Sequence, residues 1–243
     1  GEEADAVACR GDLVKVLVDV VHRQLFVDIL LHPKRRLQIE RAVDSVFEKD
    51  PAKAALVVTD DAAIDREDVQ IERDAVDLLT SAMDQSVKLD HYAVRMILTI
   101  VKVNNEFERI SDCAVNIAER IEAFSDLQKA LPPKFRMMAN SVIGIMQTTN
   151  IALEGMDTVA AQLVLASDDA TEAYKNALLS DTEEQLAMGR HSVEFAFALR
   201  TVAVNLGRMT DHCTNVAEQV IYVESGKIVR HQGDRWTKPE DVQ

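Results

Sequence analysis

Apolar residues recur along this chain at the three- to four-residue spacing of α-helices, and no stretch keeps the strict alternation of a half-buried strand. This pattern predicts helices over 12–31 and 34–49 and a long helix that begins at Asp50-Pro51, where Asp suits the N-cap and Pro the first turn. That long helix is predicted to run to 83, and further helices are predicted over 91–123, 135–166 and up to Gly226, with turns or caps at 168–169 and 180–181. The chain is therefore predicted to be all-α.

Helix-breaking residues divide the chain. Pro and Gly are sparse, and the segment "ALPPKF" at 130–135 carries the clearest break. We therefore place a domain boundary there, which separates one helical unit over 37–130 from a second over 131–231. Residues 1–36 form an N-terminal helical segment without an assigned role, and residues 232–243 form a polar tail.

The two units repeat each other. The spacing of Asp50, Ala54, Val57, Asp61 and Asp65 recurs 107 residues later, counted from Asp61 to Asp168, as Asp157, Ala161, Val164, Asp168 and Glu172. The phrase "FERISDCAVNIAERI" at 107–121 recurs as "LGRMTDHCTNVAEQV" at 206–220. Two matches in the same order indicate a tandem duplication of one helical unit, and hence an internal pseudo-twofold relation.

Composition narrows the possible functions. The net charge of −14 argues against nucleic acid as a partner, because phosphate binding needs a basic surface. Three Cys without a Cys-x-x-Cys motif predict neither a disulfide framework nor a thiolate zinc site, and they suit a reducing cytoplasm. We find no signal peptide and no uncharged apolar run long enough for a membrane span.

Acidic side chains share one face on each of two predicted helices. They are Asp61, Asp65, Asp68 and Glu72 on the first, and Glu108, Asp112 and Glu119, together with Asn116, on the second. Carboxylates four residues apart on a helix repel each other, whereas hard cations favour such an oxygen-rich arrangement. The pattern alone is compatible with two interpretations, a solvated acidic face and a metal site.

Several phrases resemble the PhoU family of phosphate-uptake regulators over about 37–231. They are "ERISDCAVNIAE" (108–119), "GRMTDHCTNVAEQVIYVESGKIVRH" (207–231), the Asp61–Asp65 pair, and "YAVRMILTIVKV" with Arg95 and Lys102. The resemblance implies two tandem three-helix bundles and a non-enzymatic regulator of phosphate uptake and phosphate-starvation signalling. The implied partners are the ATPase subunit of a phosphate ABC transporter and a phosphate-sensing histidine kinase. We further expect a cytoplasmic homodimer that reaches the membrane only through its partners.

The resemblance also implies divalent or trivalent metal ions, either Fe, Mn, Mg or Zn. Carried over residue by residue, the first site consists of Asp61, Asp65, Glu108 and Asp112, and the second of Asp168, Glu172 and Asp211. Gly207 stands where Glu108 stands in the first repeat, so the second site lacks one ligand. We therefore expect the second site to be filled less completely than the first.

Other functions fit parts of the pattern. One is a metal-dependent helical enzyme or a metal-storage protein, although no Ser/His/Asp or Cys/His constellation accompanies the acids. Another is the cytosolic PhoU-like domain of a phosphate cotransporter. Among single residues, Cys113 and Cys213 are predicted to lie in the core. Arg95 and Lys102 could bind an anion, and neutralisation of nearby acids is the favoured interpretation.

Overall fold

The structure is a computed structural model that describes residues 33–84, 86, 88–125 and 131–229. Within these ranges the chain is helical and contains no strand, so the prediction of an all-α fold is confirmed. The helices are α1 (Pro33–Glu48), α2 (Pro51–Asp84), α3 (His91–Ala118), α4 (Glu122–Ser125), α5 (Pro133–Glu154), α6 (Thr158–Ala166), α7 (Asp168–Ala187) and α8 (Val193–Ser225). The predicted helix over 12–31 and the tail over 232–243 lie outside the described residues.

Two three-helix bundles follow each other along the chain. In the first, α1, α2 and α3 all contact one another, and in the second, α5 and α8 pack against the pair α6 and α7. Buried apolar residues occupy matched positions of the two repeats: Ala54 and Ala161, Val57 and Val164, Ile71 and Leu178. The apolar stripe of each unit therefore faces its own bundle core in the same register.

The ends of the helices follow from their capping residues. The Asp50 carboxylate accepts hydrogen bonds from the Ala52 and Lys53 amides at 2.9 and 3.2 Å, at the start of α2. Asp157 does the same for α6, since its carboxylate accepts from the second and third residues after it at 2.8 and 3.2 Å. Gly226 ends α8 in the left-handed conformation, with φ of 71°. The Asp50 and Asp157 side chains thus satisfy amides at the helix starts that have no partner within the helix.

Three predicted boundaries are wrong. The helix expected to run to 166 ends at Glu154, because the chain turns through Gly155 and restarts behind the Asp157 cap. The helix expected over 91–123 ends at Ala118, and a turn leads into α4. The turn or cap expected at 180–181 lies inside α7, where the surrounding residues favour an uninterrupted helix.

The long helices α3 and α8 join the two bundles and run antiparallel. The start of α3 meets the end of α8, where Arg95 Nε and Nη2 donate to the Val223 carbonyl at 3.3 and 3.2 Å. Lys102 Nζ lies 5.7 Å from the centroid of the Tyr222 ring. Arg95 and Lys102 therefore contact the last turns of α8, and within the described ranges neither forms an ion pair with an acid, contrary to the predicted neutralising role. No helix in the described part of the chain is long and apolar enough to cross a membrane.

Candidate functional site

Acidic side chains of α2 and α3 face each other in what we call the first groove, defined by Asp61, Asp65, Asp68, Glu108 and Asp112. Burial raises the pKa of Glu108 above its ordinary value, and three neighbouring carboxylates raise it further, against a smaller opposing effect of Arg109. The three carboxylates are those of Asp112, Asp68 and Asp65. The helix spacing places these residues on one face of each helix, and the packing of α2 on α3 brings the two faces together.

The same electrostatic coupling reaches the other predicted ligands of this groove. Partial burial raises the pKa of Asp112, and the charges of Asp61 and Asp65 raise it further. Arg208 and His212, both from α8 of the second bundle, act in the opposite direction. The structure therefore brings the four residues predicted for the first site within electrostatic reach of one another.

Buried polar groups hold two of these carboxylates in place. The Ser111 hydroxyl lies 2.8 Å from Asp61 Oδ1 and 2.6 Å from the Gln38 side-chain oxygen, so its one proton serves either acceptor. Asn104 Nδ2 donates to Asp68 Oδ1 at 2.7 Å. These contacts fix the α2 side of the groove against α1 and α3.

The first groove fits a hard cation by the chemistry of its donors, which are carboxylate oxygens that repel one another. Within the described part of the chain, no Lys, Arg or His forms an ion pair with Asp61, Asp65, Glu108 or Asp112. In the same ranges, no three or more Asp, Glu, His or Cys side chains are already gathered as a coordination shell. Binding of a metal ion there would therefore require the carboxylate oxygens to move closer together.

The second groove, defined by Asp168, Glu172, Lys175 and Asp211, differs in its charge. Burial raises the pKa of Asp168, and the negative charges of Asp211, Asp169 and Glu172 raise it further. Glu172 behaves in the opposite way, because a hydrogen bond from Lys175 holds its pKa below the ordinary value. The Lys175 ammonium and the Glu172 carboxylate form an ion pair one helical turn apart. The three predicted ligands thus lie together with the Lys175 ammonium, a positive charge that was not among the predicted site residues.

Sequence reasoning also missed a polar cluster at the junction of the two bundles. His212 Nδ1 lies 2.7 Å from Glu106 Oε2, and Asn215 Nδ2 donates to the same oxygen at 3.0 Å. The side chains of His212 and Glu106 are only 10% and 13% exposed. Burial alone would raise the pKa of Glu106, but the hydrogen bonds from His212 and Asn215 and the nearby positive charges hold it below its ordinary value. The repeat gave no signal for this pair, because the position matching Glu106 is Asn205.

Both cysteines of the repeated phrases lie in the core, as predicted. Burial raises the pKa of Cys113 to about 11 and that of Cys213 to about 12. A thiol with so high a pKa carries almost no thiolate near neutral pH, so neither is suited to nucleophilic chemistry.

Comparison with known proteins finds the same family in both halves. The model of the PhoU domain matches residues 34–121 and 135–220. A relative from Thermotoga maritima, the phosphate-specific transport system accessory protein PhoU homolog 1, is 27% identical over 191 residues, covering 78% of this chain and 80% of the relative. The Aquifex aeolicus phosphate-specific transport system accessory protein PhoU homolog is 29% identical over 196 residues, covering 80% of this chain and 86% of that relative.

Solved structures have the same fold. The phosphate transport system regulatory protein PhoU from Streptococcus pneumoniae superposes with a TM-score of 0.79 at 19% identity, over 87% of this chain and 99% of that chain. PhoU from Pseudomonas aeruginosa superposes with a TM-score of 0.72 at 20% identity, over 90% and 99% of the two chains.

Proposed function

This chain belongs to the PhoU family, and on that premise we propose that it is a non-enzymatic regulator of phosphate uptake and phosphate-starvation signalling. The observation that supports this most is the match of the family model to both halves of the chain. Relatives that align with about four fifths of the chain are named as accessory proteins of the phosphate-specific transport system. The proposed partners are the ATPase subunit of a phosphate ABC transporter and a phosphate-sensing histidine kinase, contacted by a cytoplasmic homodimer.

Deletion of the gene tests this function directly. We expect the deletion to change how phosphate uptake and a phosphate-starvation reporter respond to external phosphate, and the intact gene to restore both responses. Unchanged uptake and reporter responses would contradict the proposal. Hydrolysis of a test phosphoester by the metal-loaded protein, lost on chelation, would instead favour the alternative of a metal-dependent enzyme.

We propose further that the first groove binds a divalent or trivalent cation through Asp61, Asp65, Glu108 and Asp112. The support is the mutual repulsion of these carboxylates. Burial is the larger cause of the raised pKa of Glu108 and Asp112, and the charges of the neighbouring carboxylates raise both values further. A bound cation would relieve this repulsion and would therefore stabilise the folded state by mass action.

Replacement of two ligands tests the site. Asp65→Ala combined with Asp112→Ala should abolish the rise in melting temperature that Mn²⁺ produces in the wild type. The matched control is Asp74→Ala combined with Asp77→Ala, which removes the same charge from exposed positions of α2. An Mn²⁺ response that survives in the Asp65/Asp112 variant would place the cation elsewhere.

A further inference from the structure

The second groove contains a positive charge of its own. The Lys175 side chain is 24% exposed and pairs with Glu172 of the same helix. Its stem lies against Gly207 of α8, where an added Cβ would meet Lys175 Cδ at 3.0 Å. The space that a side chain would take at position 207 is therefore occupied by Lys175.

Three differences between the repeats act together around this lysine. Asp68, Asn104 and Glu108 of the first repeat are replaced at the matched positions by Lys175, Ala203 and Gly207. In the first groove Asn104 donates to Asp68, so the loss of this amide accompanies the loss of the carboxylate that accepts from it. At matched positions the first groove has five carboxylates, whereas the second has three carboxylates and one ammonium group.

We propose that the Lys175 ammonium takes the place of a metal ion in the second groove, so that of the two grooves only the first is a metal centre. The inference rests on the proposed metal binding. Glu172 is already paired, the ammonium repels a second cation, and the lysine stem fills the space of the missing ligand. The surface charge of the first bundle then depends on metal occupancy, whereas that of the second does not.

Conversion of the second groove into the first tests this proposal. Lys175→Asp combined with Gly207→Glu restores the two acids found at Asp68 and Glu108. We expect this variant to bind about twofold more Mn²⁺ per chain than the wild type, measured by equilibrium dialysis and elemental analysis. Gly207→Glu alone should add no Mn²⁺, because the new carboxylate meets Lys175 and pairs with it.

The wild type provides a second test that does not depend on how a variant folds. Anomalous scattering from Mn²⁺-soaked crystals should show metal at the first groove and none at the second. Equal occupancy of both grooves would overturn the role of Lys175 and leave the proposed metal binding intact. Absence of bound Mn²⁺ from both the wild type and the Lys175→Asp, Gly207→Glu variant would overturn both proposals.

Discussion

Removal of the Glu106 carboxylate should loosen the junction between the two bundles. Glu106→Ala deprives His212 Nδ1 and Asn215 Nδ2 of the oxygen that lies 2.7 and 3.0 Å away. A hydrogen bond to a charged group contributes about 1.5–3 kcal/mol, while desolvation of the carboxylate offsets part of this. The attractive contacts outweigh desolvation, because the net effect is a lowered pKa of Glu106. We therefore expect Glu106→Ala to reduce the free energy of unfolding by about 2–4 kcal/mol.

Thermal and urea unfolding measure this loss. For a chain of this size, each kcal/mol lowers the melting temperature by roughly 2–4 °C. A matched pair of variants controls for loss of the amides: Asn215→Ala removes a donor to Glu106, whereas Asn116→Ala removes one that only reaches the Asp112 carbonyl of its own helix. Equal costs for the two Asn variants, or a negligible cost of Glu106→Ala, would refute the reasoning.

The contribution of Glu106 should also depend on pH in a defined direction. Its pKa in the folded protein is lowered, so its stabilising effect is present above the unfolded-state pKa, about 4.3. The effect is lost as pH falls through the folded-state pKa. The difference in unfolding free energy between the wild type and Glu106→Gln should therefore shrink as the pH is lowered below about 4.3. A difference that stays constant or grows on acidification would contradict this sign.

Three further outcomes are expected. Asp157→Ala removes the N-cap of α6 and should cost about 1 kcal/mol in thermal unfolding; an unchanged melting temperature would mean that the cap contributes nothing. Gly226→Ala should cost about 1–2 kcal/mol, because a side chain at φ of 71° is strained, and a neutral result would show that the end of α8 relaxes. In a Cys9→Ser background, Cys113 and Cys213 should react with iodoacetamide only after denaturation, and rapid labelling of the native protein would contradict their burial.

Helix content, the duplication and the two acidic faces that line the first groove could all be predicted from local patterns. The cap at Asp50 follows from residue type and position, since an N-cap bonds to amides only two and three residues away. Asp61 and Asp65 lie on one helix face because they are four residues apart. The break after Glu154 was missed because the apolar spacing continues across Gly155 into α6.

The second groove shows which differences between the repeats can be identified from the sequence and which depend on helix packing. The repeat itself identifies Lys175 as the counterpart of Asp68 and Gly207 as the counterpart of Glu108, at offsets of 107 and 99 residues. These two substitutions appear unrelated in the sequence because they lie on different helices. Only the packing of α7 against α8 places the stem of Lys175 over Gly207, so that the two substitutions are coupled by a direct contact.

Properties that depend on short spacing therefore follow from the amino-acid sequence alone: helical periodicity, the start of α2, the shared acidic faces and the order of the two units. Which charges meet across helices follows from the folded structure alone, including the contact of Glu106 with His212, 106 residues apart. Such pairs depend on the antiparallel register of α3 and α8, which is set by packing of the whole apolar surface. Because local spacing encodes neither that register nor the packing of α7 against α8, the polar junction and the contact of Lys175 with Gly207 follow only from the folded chain.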